Sequence, residues 1–179
     1  MKRLLLLFIL LYSVNGTSQV DSYRTDSLDT HSYFVRPGLY NLRLSLGVYP
    51  EVQFINSPVI GAGISYARLL DVEWSSFNRG VNVGFEFDPL ERFYGPKLTV
   101  WGDMFAIFLG LNASFSAMYY FQGNEAGLYF RPEVGIGIPR LHLKYGFGFR
   151  VAGDELTGIQ RHSLTLGYHF ILFERDVRK

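Results

Sequence analysis

The chain has 179 residues, no cysteine and a formal net charge of +1, and 48% of its residues are apolar and 17% aromatic. This near-neutral charge gives no argument for nucleic acid as a partner, and the lack of cysteine excludes a disulfide framework. Beyond the first residues no apolar run approaches about eighteen residues, which excludes a helical membrane protein.

The start of the chain has the layout of a secretory signal peptide. Lys2 and Arg3 precede an apolar run, Leu4–Tyr12, that is too short to span a membrane as a helix. We predict a signal peptide over residues 1–18, whose removal takes two of the 17 basic residues and leaves 15 against 16 acidic ones. The predicted organisation continues with a polar lead-in at 19–37, a barrel domain at 38–173 and a C-terminal tail at 174–179.

Residues 38–170 alternate between apolar and polar or small side chains, which is the period of β-strands. In the clearest stretch, Ala126–Val151, one parity carries no charge and the other carries glycine and charged residues. A break at Pro139-Arg140 predicts a hairpin of two long strands there. With the other alternating stretches the chain has eight predicted strands, at 40–49, 60–67, 81–87, 97–101, 107–121, 126–138, 141–151 and 164–170.

Turn-rich segments separate the predicted strands. The segments after strands one, three and seven are long and those after four and six are very short, as in an up-and-down barrel with tight turns at one end. We predict that Pro50 ends the first strand. The segment Asp71–Arg79 after the second strand is too long for a tight turn, and it is either a long turn or an extension of the neighbouring strands.

The predicted strands are long enough to cross a bilayer. Soluble domains typically have strands of about five or six residues, whereas about nine to eleven tilted residues span a membrane. Leu, Phe and Tyr share one parity, and glycine and charged residues share the other, which favours lipid outside. We therefore predict an all-β fold, an eight-stranded antiparallel up-and-down transmembrane β-barrel. Outward tyrosines typical of membrane-interface anchors are Tyr40, Tyr66, Tyr145 and Tyr168.

The last predicted strand carries Leu164, Leu166, Tyr168 and Phe170 on one parity. With this strand and the repeated alternation, the chain resembles the small eight-stranded outer-membrane β-barrel proteins of Gram-negative bacteria, the OmpA- and OmpX-like class. The resemblance implies an outer-membrane location, the lipid bilayer and the barrel-assembly machinery as partners, and a role for these four residues as a C-terminal assembly signal. In that class the chain usually ends at the aromatic residue, whereas here nine residues follow Phe170.

The inward parity is where we expect function. In an eight-stranded barrel the interior is only wide enough for side chains to fill, so opposite charges there can pair as a structural ionic core. The alternative is a narrow gated pore or a ligand site. We predict a packed, non-conducting lumen whose ionic cluster consists of Arg43, Glu86, Lys97, Arg131, Glu133, Lys144 and Arg150.

The residue pattern gives little support to catalytic or metal chemistry. The four histidines have no tight metal-ligand spacing, so we predict no metal site and no cofactor. His162 and Ser163 are a conceivable base and nucleophile, but adjacent strand residues point to opposite faces. Because no nucleophile, base and orienting group converge in the pattern, we predict a protein that is not an enzyme.

The predicted function is a structural or surface-interaction role in the Gram-negative outer membrane, with the surface ligand unspecified. Two alternatives stay open. One is an outer-membrane lipid-modifying enzyme that uses His162, Ser163 or Asp154 at the rim of the barrel, and the other is a soluble lipocalin-like carrier of an apolar ligand. A lipocalin has its apolar face inward and its charges outward, so the sidedness of the barrel separates these hypotheses.

Overall fold

A computed structural model describes residues 40–54, 57–72, 75–106, 109–159 and 161–177. The predicted signal peptide and lead-in, residues 1–37, lie outside these ranges. No helix long and apolar enough to cross a membrane occurs within the described ranges. The strands are β1 (Tyr40–Phe54), β2 (Val59–Val72), β3 (Ser75–Phe87), β4 (Tyr94–Ala106), β5 (Leu109–Gln122), β6 (Glu125–Ile138), β7 (Leu141–Phe147), β8 (Phe149–Gly153), β9 (His162–Tyr168) and β10 (Phe170–Asp176).

The strands form one closed antiparallel ring. Each of β1 to β6 pairs with the next strand along the chain, β7 pairs with β9, and β1 closes the ring by pairing with β9 and β10. Because β7 and β8 both pair with β6, and β9 and β10 both pair with β1, each of these two pairs is one interrupted strand. The ring therefore has eight strands, which confirms the predicted all-β, antiparallel, barrel-like architecture.

Two prolines interrupt the hydrogen-bonded ladders without ending their strands. Pro50 lies opposite the break between β9 and β10, and Pro132 lies opposite the break between β7 and β8. Proline has no N–H to donate, so each ladder loses pairing on one side, while the other edge of the strand stays paired through Ala62 or Phe115. The prediction that the first strand ends at Pro50 is therefore wrong, and β1 continues to Phe54.

The connections differ in length between the two ends of the barrel. At the end where β1 begins, called here the tight-turn end, the strands are joined by residues 73–74, 107–108 and 139–140. At the opposite end, called the loop end, the connections are residues 55–58, 88–93, 123–124 and 154–161. The segment Asp71–Arg79 is thus an extension of its neighbours and not a long turn, because β2 runs to Val72 and β3 begins at Ser75.

The last strand extends beyond its predicted end. β10 pairs antiparallel with the first half of β1, and Arg43 lies opposite Asp176. Residues 174–176 of the predicted tail therefore belong to the closing strand of the ring. Phe170, the residue predicted to end a C-terminal assembly signal, begins β10, so the aromatic residue lies within the eighth strand and not at its end.

Apolar side chains cover the outside of the barrel, and polar side chains fill the inside. Exposed and buried residues alternate along β4. Val134 is 63% exposed, whereas its neighbour Glu133 is only 2% exposed. The strands therefore place the apolar parity outside and the polar parity inside, as predicted from the sequence. The outward apolar residues include Ile60, Ile64, Val83, Phe85, Leu98, Val100, Leu111, Ile136, Leu143, Leu164 and Leu166.

The apolar core lies at the loop end of the barrel. Phe93 and Leu156, from the β3–β4 and β8–β9 connections, belong to one buried cluster with Met118, Tyr120 and Tyr129. The rings of Phe93 and Tyr120 meet edge to face at 4.9 Å between centroids. The Leu156 N–H donates to the Tyr129 hydroxyl oxygen at 3.1 Å. These two connections therefore fold over the loop end and cover it with what we call the loop-end apolar cluster.

Candidate functional site

Six charged side chains inside the barrel form what we call the interior ion network. Three are acids and three are bases, so the network carries no net formal charge. Each member is at most 6% exposed. The inward parity of strands β1, β3, β4, β6 and β7 places them together, and they are Glu51, Glu86, Lys97, Arg131, Glu133 and Lys144.

Glu86 is at the centre of the network, and its side chain is fully buried. Lys97 Nζ lies 2.8 Å and Arg131 Nη2 lies 2.6 Å from Glu86 Oε1. Gln53 donates to the same oxygen, and the Tyr120 hydroxyl donates to Oε2. A carboxylate can accept about four hydrogen bonds, so these four donors satisfy it and offset the cost of burying its charge.

Glu133 organises the other half of the network. Lys144 Nζ lies 2.9 Å from Glu133 Oε2, and the Ser114 hydroxyl donates to the same oxygen at 2.8 Å. The other oxygen, Glu133 Oε1, accepts a hydrogen bond from the Thr165 hydroxyl at 3.4 Å. It also forms an ion pair with Arg131, with 3.4 Å between Oε1 and Arg131 Nε. Arg131 thus contacts both carboxylates, and the two halves form one connected cluster.

A small cavity lies beside the network. Lys97 also pairs with Glu51, whose second carboxylate oxygen, Oε2, has no hydrogen-bond partner within the described ranges. Beside them is a cavity of about 10 Å³, roughly what one water molecule requires. Its polar lining consists of Tyr49, Glu51, Asn82, Lys97 and Thr99.

A glycine provides the room for the long charged side chains. A Cβ atom at Gly146 on β7 would lie 3.0 Å from both Arg131 Cδ and Glu133 Cγ and 2.7 Å from Ser163 Oγ. Only a residue without a side chain fits at this position unless the ion pair moves.

Two of the seven predicted cluster residues lie elsewhere. Arg43 is near the start of β1, at the tight-turn end, where it pairs with Asp71 and Glu174. Arg150 follows the break between β7 and β8, and its side chain is 42% exposed and donates to the Gly153 carbonyl at 3.1 Å. Both have inward sequence parity, but parity does not reveal height along the barrel axis, and the ion pairs of both residues are with acids outside the interior ion network.

Glu51, Gln53 and Tyr120 are absent from the ionic cluster predicted from the sequence. Glu51 and Gln53 follow Pro50, and the prediction that β1 ends there removed them from any strand face. Tyr120 lies on the inward parity of β5, but a tyrosine in an alternating strand gives no signal that its hydroxyl will meet a carboxylate. The alternation Glu51, Gln53 after Tyr49 was the available signal, since these residues continue the inward parity of β1.

Aromatic and histidine side chains fill the interior nearer the tight-turn end. His169 lies 4.3 Å from Tyr49, 4.7 Å from Trp101 and 5.2 Å from His142 between ring centroids. His142 Nε2 lies 3.2 Å from Asp103 Oδ2. Within the described part of the chain, no group of three or more His, Asp or Glu side chains is placed to hold a metal ion.

The residues suggested for catalysis are not brought together. Ser163 is 2% exposed and faces the interior, while His162 is exposed on the outer face, with its Nδ1 2.5 Å from the Tyr145 hydroxyl. Asp154 accepts a hydrogen bond from the Ala126 N–H at 3.1 Å. The strand alternation separates base from nucleophile, as the parity argument predicts.

The predicted anchor tyrosines differ in exposure. Tyr66 and Tyr145 are exposed on the outer face, at 52% and 46%. Tyr168 is half-buried and packs on Phe170, with 4.5 Å between ring centroids. The side chain of Tyr40 lies outside the described part of the structure. Two of the four positions therefore present a ring to the surroundings of the barrel.

The interior as a whole is suited to hold opposite charges at fixed positions in a confined space, with little room for a substrate. Comparison of the chain with models of known protein families, with curated proteins and with solved structures finds no match. A functional assignment therefore depends on the geometry of the barrel itself.

Proposed function

We propose that this chain is an outer-membrane β-barrel protein of the Gram-negative envelope with a structural or surface-interaction role and a packed, non-conducting lumen. The observation that carries the proposal is the sidedness of the ring, with apolar side chains outside and charges inside. Val134 and Leu111 are more than 60% exposed, whereas the neighbouring inward residues Glu133 and Asn112 are buried.

The outer apolar face is too extensive for a monomer in water. Soluble monomers rarely expose a contiguous apolar patch above a few hundred Å². Here every strand from β1 to β7 contributes exposed large apolar residues. Strands β1 to β6 have 13 to 15 residues each, more than the roughly nine to eleven tilted residues that cross a bilayer. Lipid is the solvent that suits such a surface.

The interior supports the non-conducting part of the proposal. Ion permeation needs a continuous wet path, but the lumen is crossed by charged side chains in mutual contact. Arg131 reaches Glu86 from β6 to β3, which are not neighbouring strands. The cavity beside Glu51 has room for about one water molecule. At the loop end, the loop-end apolar cluster adds a second, uncharged barrier.

The two alternatives gain no specific support. A lipocalin-like carrier needs an apolar cavity, whereas the interior beside β3 and β4 holds Glu86 and Lys97 in an ion pair. A lipid-modifying enzyme needs a base beside its nucleophile, whereas His162 and Ser163 face opposite sides of β9. We therefore keep the proposal of a non-enzymatic protein, with lipid and the barrel-assembly machinery as its partners.

Cell fractionation combined with heat modifiability tests this proposal. A folded membrane barrel stays in the detergent-soluble envelope fraction and migrates differently in a gel before and after boiling. We expect both behaviours from the full-length chain expressed with its own N-terminal residues. Recovery of the folded protein in the soluble periplasmic fraction would contradict the membrane assignment.

A further inference from the structure

Near the tight-turn end, two interior side chains contact the carboxylate of a third. Oδ2 of Asp103 on β4 lies 3.2 Å from Nε2 of His142 on β7. Its other oxygen, Oδ1, lies 3.5 Å from Asn112 Nδ2 on β5. All three residues are at most 7% exposed. A fourth polar residue, Asn78 on β3, is the ladder partner of Asp103.

These side chains contain an unusual concentration of unsatisfied polar atoms. Seven buried side-chain nitrogen or oxygen atoms in the described ranges have no hydrogen-bond partner. Three of them belong here: Asn78 Oδ1, Asn112 Oδ1 and His142 Nε2, which lies at ion-pair distance from Asp103 but makes no hydrogen bond to it. Buried polar atoms are nearly always paired in native proteins, so a group of unpaired electron-pair donors around a carboxylate indicates a further ligand.

Asp103 also differs from the acids of the interior ion network. Glu51, Glu86 and Glu133 each pair with Lys or Arg. Among the described residues, Asp103 instead pairs with His142, which is charged only if protonated. With a neutral imidazole the site has one negative charge and no cation to balance it.

We propose that Asp103, His142 and Asn112 form a binding site for one divalent transition-metal ion of the zinc type. The separation of 3.2 Å between Asp103 Oδ2 and His142 Nε2 fits two ligands of a single ion, since atoms at about 2.1 Å from one zinc are roughly 3.0 to 3.4 Å apart. Asn112 supplies the third ligand through Oδ1, which is buried and has no hydrogen-bond partner within the described ranges.

Neighbouring groups on β4 and β6 pack closely around His142. Gly137 on β6 lies between β5 and β7, and a Cβ atom there would be 2.7 Å from His142 Cδ2. Phe105 packs against His142 at 6.1 Å between ring centroids and is 5% exposed. Screening by these groups weakens competition from water and strengthens the attraction between an ion and the carboxylate.

The donor set selects the class of metal. Imidazole nitrogen is a preferred ligand of zinc, nickel and copper, whereas magnesium and calcium prefer sites made of oxygen alone. A combination of imidazole, carboxylate and amide oxygen therefore favours a first-row transition metal over calcium. This inference is independent of the membrane assignment, because a soluble barrel with this interior would carry the same site.

Calorimetric titration of the untagged full-length chain, folded in metal-free detergent micelles, tests the site with zinc chloride as the probe. We expect one zinc per chain in the wild type and at least about a tenfold weaker affinity in Asp103→Asn and His142→Gln. The matched control is His162→Gln, which changes an exposed histidine and should bind like the wild type. Circular dichroism of the β-strands establishes that each variant is folded.

Other outcomes overturn the proposal. No stoichiometric zinc binding by the wild type, or equal binding by the wild type and His142→Gln, would show that the cluster holds no metal. Calcium binding as tight as zinc binding would contradict the assigned class of ion. If the Asp103 and His142 variants do not fold, Asn112→Ala is the milder test, and cobalt(II) added to the wild type must give the visible absorption bands of a bound imidazole and carboxylate.

Discussion

Arg131 on β6 and Glu86 on β3 meet across the interior of the barrel, with 2.6 Å between Arg131 Nη2 and Glu86 Oε1. Two strands, β4 and β5, lie between them along one side of the ring, so this ion pair crosses the interior from one wall to another. Arg131 Nη1 also donates to Gln53 Oε1 on β1 at 2.6 Å. The interior is therefore cross-linked by side chains as well as enclosed by the strand ladders.

Replacing Glu133 by Ala should destabilise the folded barrel strongly. The change leaves Lys144 without the carboxylate that it pairs with and removes one partner of Arg131. Breaking a buried ion pair by deleting one member typically costs about 3 to 5 kcal/mol, because the other charge stays buried. Urea unfolding in lipid vesicles should show a lowered midpoint. The control is Glu91→Ala, which removes an exposed acid, and equal midpoints for both variants would contradict a role for Glu133 in stability.

Replacing Leu111 by Arg tests whether the outer face lies in lipid. Leu111 is 61% exposed and lies between Met104 and Ile136 on the neighbouring strands. An Arg on the lipid face of a barrel costs about 2 to 4 kcal/mol near the bilayer midplane, because the charge loses its hydration. Folding yield in vesicles should drop for Leu111→Arg and stay high for Leu111→Ala. Equal folding yields of the two variants would contradict the placement of Leu111 in the bilayer.

Two glycines on β4 should respond differently to substitution by alanine. A Cβ atom at Gly95 would overlap the backbone of Tyr119 on β5, whereas one at Gly102 meets only the Asn78 carbonyl oxygen at 3.6 Å. Inserting a group into a closely packed site typically costs about 1 to 3 kcal/mol. Gly95→Ala should therefore lower the unfolding midpoint and Gly102→Ala should not. An equal shift of the unfolding midpoint in the two variants would mean that the conformational entropy of glycine, and not crowding, determines the effect at these positions.

The alternation of residues was sufficient to predict the fold and part of the interior. On the long hairpin, Glu133 and Lys144 share the inward parity, and a period of two assigns their face without any knowledge of the partner strands. Glu86 and Lys97 lie on two further alternating strands. These four residues and Arg131 are five of the six members of the interior ion network.

The remaining errors have specific physical causes. Pro50 was taken to end β1, but a proline can stay within a strand where only one edge loses pairing, and this hid Glu51 and Gln53. A register shift between Leu128 and Tyr129 accompanies the exposed position of Arg150. The cluster around Asp103 was not anticipated, because the fourth strand was predicted to end at residue 101, whereas β4 continues to Ala106 and places Asp103 on its inward face.

The barrel should not conduct ions. The interior ion network is neutral overall and occupies the middle of the lumen, and the loop-end apolar cluster covers the loop end. The cavity of about 10 Å³ beside Glu51 and Lys97 has room for roughly one water molecule. An eight-stranded barrel is only wide enough for side chains to fill, so opening a path would require the ion pairs to separate.

Reconstitution of the wild-type chain in a planar bilayer measures this directly, and we expect no steady channel current. Arg131→Ala is the informative companion, because it removes the side chain that contacts both Glu86 and Glu133 and leaves space between them. If the packed network is the barrier, this variant should show more frequent current events than the wild type. Glu91→Ala, which changes a loop residue, should stay as silent as the wild type. A stable and reproducible open conductance of the wild type would contradict a packed lumen, since ions could not pass side chains that remain in contact.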